Sequence, residues 1–159
     1  MEFETCVEID APISYVVSLF GDPAHFKDWQ RGFVSYEPVS GIPRTVGAKA
    51  KVNYVNNGHH IELTETIQEM NLPDQMTALY EHRHGVNTMI TRFKKLPGNR
   101  TQYTTGVGYN KPIGFLPKLM AWLMPGLVKK HNREWAENFK KFAEENYHQQ
   151  KGGKDFLKY

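Results

Sequence analysis

The sequence predicts an α+β domain in which a seven-stranded, curved antiparallel sheet wraps around one long C-terminal helix, with two short helices between strands 1 and 2. Two changes of periodicity carry that expectation. From Phe33 to Tyr109 apolar residues recur at every second position between turn signals, the pattern of strands with one buried face. From Ile113 to Tyr147 the spacing becomes three and four, with Leu116, Leu119, Met120, Leu123, Leu127, Val128, His131, Trp135, Phe139 and Phe142 on one helical stripe and lysines and glutamates around the rest. A helix this amphipathic needs a broad apolar partner, and the strands supply it.

The elements follow in order. Glu2 to Asp10 alternates as a strand and stops at Ala11-Pro12. Ile13 to Phe20 carries Val16, Val17, Leu19 and Phe20 at helical spacing; Gly21 ends it, and Asp22-Pro23 reads as the cap and first position of a second short helix through Trp29. Six strands come next, at Phe33 to Val39, Ala48 to Val55, His60 to Met70, Gln75 to His82, Val86 to Leu96 and Thr101 to Tyr109. Asn56-Asn57-Gly58 is the strongest hairpin signal among their connections. Pro125 and Gly126 interrupt the C-terminal periodicity, so a shorter piece should precede a sturdier helix from about Pro125 to Tyr147. Residues 1–147 are expected to form a single domain, and 148–159 a polar, flexible tail.

Composition excludes several classes. With 159 residues, 40% of them hydrophobic and 23% charged, the chain suits one packed core. A net charge of +3 without a long Lys/Arg run argues against a nucleic-acid partner. A single cysteine, Cys6, forbids an internal disulfide, and the N-terminus lacks the marks of a secretory signal, so the expected compartment is the cytoplasm. Ile113 to Val128 is too short and interrupted to span a bilayer, although transient membrane contact is compatible with it. The seven histidines show no metal-ligand spacing, and nucleotide and nucleophile motifs are missing; neither a metal nor a cofactor is expected.

Val7-Glu8-Ile9-Asp10-Ala11-Pro12 followed by a short helix, Asp22-Pro23 and Trp29, then Val46-Gly47-Ala48 and the ending Glu137-Asn138-Phe139-Lys140-Lys141-Phe142, resemble the polyketide cyclase/dehydrase and lipid-transport superfamily. That superfamily has the helix-grip fold and includes START-like and birch-pollen-allergen-like proteins. The resemblance spans about residues 2 to 146. It implies a cavity between sheet and helix for a lipid, polyketide or quinone-like molecule; a minority of members are enzymes.

Alternation along the strands nominates the residues that would line such a cavity: Tyr54, Glu65, Tyr80, His82, Met89 and Tyr103 from the sheet, facing Met120, Met124, His131 and Trp135 from the helix. Methionines and aromatics suit a largely apolar ligand held by few hydrogen bonds. Glu65 stands out because it shares a face with Ile61, Leu63 and Ile67, where an unpaired carboxylate would cost several kcal/mol. His82, His131, Arg92 or a tyrosine hydroxyl are its candidate partners. Three functions fit these residues: carriage of a small hydrophobic molecule, a cyclase or dehydrase using Glu65 for acid-base chemistry, and a protein-interaction module without ligand.

Overall fold

The computed structural model describes residues 3–83, 85–112 and 125–155. The order is β1 (Phe3–Ile9), α1 (Ile13–Gly21), a 3-10 turn (Pro23–His25), α2 (Phe26–Trp29), β2 (Phe33–Ser40), β3 (Lys49–Asn56), β4 (His59–Asn71), β5 (Gln75–His82), β6 (Gly85–Leu96), β7 (Arg100–Pro112) and α3 (Pro125–Asp155). All seven strands form one antiparallel sheet in the order β1-β7-β6-β5-β4-β3-β2, so the first strand closes against the last. This is the expected helix-grip architecture.

Local chemistry sets the corners. Asp22 accepts a 2.9 Å bond from the Ala24 amide, with Pro23 at the first helical position. Asn57 and Gly58 turn with φ of 49° and 78°, the double positive φ that a two-residue hairpin requires. Gly32, at φ 80°, brings the end of α2 so close to β3 that a Cβ there would meet the Val55 carbonyl oxygen at 2.3 Å.

The core fills one end of the sheet's inner face. Val16, Leu19 and Phe20 of α1 and Phe26 and Trp29 of α2 pack against Ile67, Met76, Ala78, Phe93 and Tyr103. Helix α3 covers them with Ala136, Phe139 and Ala143, all fully buried. Phe20 meets Phe93, Tyr103 and Phe139 at centroid distances of 5.3, 5.9 and 5.6 Å. The two alanines let the helix axis approach closely while Phe139 fills the gap.

The structure corrects the helix in two respects. Its buried stripe is Asn132, Ala136, Phe139 and Ala143, whereas His131 is exposed and Trp135 and Phe142 are half-buried. Aromatics from α1 and α2 already occupy the space beneath, so the small residues turn inward. The helix also runs beyond Tyr147 to Asp155. Tyr147 packs on Tyr15 at 5.3 Å, and the Lys151 ammonium sits 4.7 Å from the Tyr147 ring. The expected piece before Pro125 lies outside the described residues, while Pro125 itself opens α3.

Candidate functional site

The sheet register places Ala50, Glu65, Tyr80 and Asn87 directly opposite one another across β3 to β6. Residues so paired project from one face, and Ile67, Ala78, Met89 and Val107 form the next row. The inward alternation expected from the sequence is therefore the one observed. Glu65 is only 2% exposed, and it is partnered. The Tyr80 hydroxyl donates to its Oε2 at 2.6 Å and Arg44 Nη1 to its Oε1 at 3.5 Å.

Arg44 arrives from the β2–β3 loop. Gly41 and Gly47 bend that loop at φ 76° and 84°, and Arg44 itself has φ 64°, a left-handed conformation that costs a non-glycine residue on the order of 1 kcal/mol. The loop is pinned to the sheet by the Gly47 amide on the Ile67 carbonyl at 2.8 Å. Its guanidinium lies 5.6 Å from the Phe26 ring centroid, directs Nη2 to the Met76 sulfur at 3.3 Å, and is 13% exposed. Removing either member of such a pair would leave the other charge buried alone.

Phenols surround the pair. Burial, then the Glu65 charge, holds the Tyr80 hydroxyl well above its ordinary pKa. The same two causes raise Tyr54, and they raise Tyr36 against the opposing Arg44 charge. These groups consequently remain protonated donors at neutral pH. Tyr54 donates to Gln30 Oε1 at 2.7 Å and stacks on Trp135 at 5.6 Å, with Trp29 edge-on to Trp135 at 6.4 Å. Among the described residues, Trp135 Nε1 and Asn87 Oδ1 are buried with no hydrogen-bond partner.

The predicted site residues divide accordingly. Glu65, Tyr80, Tyr54 and Trp135 form one neighbourhood; Met89 and His82 lie half-buried on the same sheet face. His131 sits above Trp135, ring to ring at 4.9 Å, and partial desolvation lowers its pKa. Tyr103 belongs instead to the packed core, stacked on Phe93 at 5.2 Å. Met120 and Met124 lie outside the described residues. Among the partners expected for Glu65, a tyrosine hydroxyl is bonded to it, whereas Arg92 bonds Gln75 Oε1 at 2.9 Å. Sequence reasoning missed Arg44, Tyr36 and Gln30. The only signal for Arg44 was a charged residue inside the otherwise uncharged turn Gly41-Ile42-Pro43-Arg44-Thr45-Val46-Gly47.

No protein-family model matches the chain, and no curated protein sequence matches it. Solved structures do. The di-domain ARO/CYC StfQ of the steffimycin biosynthetic pathway superposes with a TM-score of 0.73 at 11% identity over 93% of this chain, which spans 47% of StfQ. The Zhui aromatase/cyclase from Streptomyces sp. R1128 gives 0.72 at 14% identity, covering 89% of this chain and 92% of that one. Ara h 8.0201 gives 0.61 at 12% identity, covering 89% and 95%. At such identities the likeness is one of fold, and at that level it agrees with the superfamily that the sequence resembles.

Proposed function

We propose that this helix-grip domain binds a small, largely apolar molecule, lipid-, polyketide- or quinone-like, between the inner face of the sheet and the C-terminal helix. Glu65, Arg44 and Tyr80 form the polar anchor. One observation supports this most: a buried carboxylate–guanidinium pair lies among apolar residues where the sheet face passes from fully buried to half-buried. Trp135 Nε1 and Asn87 Oδ1 add a donor and an acceptor for the ligand's polar groups. A ligand of about 15 to 25 heavy atoms would gain about 5 to 8 kcal/mol, which is micromolar binding.

The test is tryptophan quenching by a panel of fatty acids, flavonoids and quinones, repeated on Glu65→Gln. Saturable quenching is expected, weakened about tenfold in the variant because a charged hydrogen bond is lost. No saturable response from any compound sinks the reading, and unchanged affinity in the variant removes Glu65 from the site.

A second reading rests on the 2.6 Å Tyr80–Glu65 hydrogen bond, a donor–carboxylate pair that could pass a proton to a bound carbonyl compound in a cyclisation or dehydration. Turnover of a polyketide-like substrate that is lost in Tyr80→Phe would favour it over simple carriage.

A further inference from the structure

We infer that the half-buried end of the domain carries an electropositive rim that docks on an anionic lipid surface; the inference rests on the ligand-binding reading, since that surface would be the source of the apolar ligand. Separate elements bring cations to this end. The α2–β2 corner places Arg31, the β5–β6 hairpin Arg83, and the first turns of α3 place Lys129, Lys130 and Arg133, all exposed. Their convergence follows from the topology. Asn56 pairs with His59 and His82 with Gly85, so both hairpins turn at one end of the sheet. Asn132 of α3 bonds the Thr105 carbonyl and Thr5 Oγ1 near the start of β1, and Arg31 reaches Glu134 at 3.2 Å.

Among the described residues, carboxylates balance only part of this rim. Arg31 is paired with Glu134 and Lys51 with Glu62 at 3.5 Å, Glu81 stands beside Arg83, and exposed Glu4 lies near the start of β1, so Lys129, Lys130 and Arg133 of α3 supply the remaining positive charge. Asp10, Asp22 and Asp74 lie at the other end. The rim borders Ile61, Leu63 and Met89 on the half-buried inner face, with Val55 beside it 42% exposed. Cations ringing apolar surface match the boundary between phospholipid headgroups and acyl chains. A nucleic acid would instead favour a continuous basic stripe with stacking aromatics.

Vesicle co-flotation of the full chain tests the inference, using phosphatidylcholine alone and with about 30 mol% phosphatidylserine. The wild type should float only with the anionic vesicles and detach as salt shortens the screening length. K129E/R133E should weaken that binding about tenfold or more, while K94E/K95E, an equal change of charge at the far end of β6, should not. Tryptophan quenching by the apolar panel without vesicles should be equal in all three proteins. Docking is overturned if the wild type ignores anionic vesicles, binds neutral ones as well, loses binding equally in both variants, or is stripped off by single-stranded RNA at matched charge. Docking that persists when no apolar compound quenches would overturn the ligand reading alone.

Discussion

The two ends of the sheet's inner face are made by the same strands with the same alternation, yet they differ in what covers them. At one end Ile9, Val16 and Phe139 are fully buried and Phe20, Phe93 and Tyr103 nearly so, locked edge-to-face. At the other, Ile61, Leu63, Tyr80 and Met89 are half-buried. Glu65 and Arg44 mark the border. The contrast separates residues that make the domain fold from residues free to meet something else, although both sets are apolar and both point inward.

The largest effect is expected at the closed end. Phe139→Ala removes the ring that touches Phe20, Trp29 and Tyr103 and should cost about 3 to 5 kcal/mol, lowering Tm by roughly 10 °C. A thermal melt close to wild type would erase the distinction between the ends.

Next comes the border. Arg44→Ala leaves Glu65 buried without its charge partner and should cost about 3 kcal/mol in urea denaturation, whereas Arg44→Met combined with Glu65→Leu should recover most of that loss. A single variant as stable as wild type would mean that Glu65 reaches water.

At the half-buried end, Met89→Ala should cost only about 1 kcal/mol because much of the side chain's burial is incomplete, while weakening ligand quenching severalfold. Equal losses for Met89→Ala and Phe139→Ala would show that this end is ordinary core.

The smallest effect concerns His131. Desolvation beside Trp135 holds its folded pKa below the ordinary 6.5. The neutral imidazole is thus favoured by the fold, so its contribution is present above that value and is lost as pH falls toward the folded pKa. A proton NMR titration should find the ring below 6.5 and should find it returning upward in Trp135→Ala; a value at or above 6.5 in the wild type contradicts the placement of the ring.

Much of this was legible in the sequence, because period-two alternation and turn residues are local. Strand bounds matched within a few residues, and Gln75–His82 matched at both ends. The inward set that includes Glu65 followed from counting along β4. Helix α3 was harder: its apolar positions named a broad stripe, but which part turned inward depended on the space α1 and α2 had already filled, and the alanines won over Trp135.

The chain by itself thus determined which face of each strand looks inward, since neighbouring side chains must alternate whatever surrounds them. Only the tertiary structure decided that one half of that face is plugged by Phe20, Trp29 and Phe139, and that Glu65 finds its cation 21 residues away in a loop. Those choices depend on which elements reach a given volume first and how large their side chains are, and no local pattern records either.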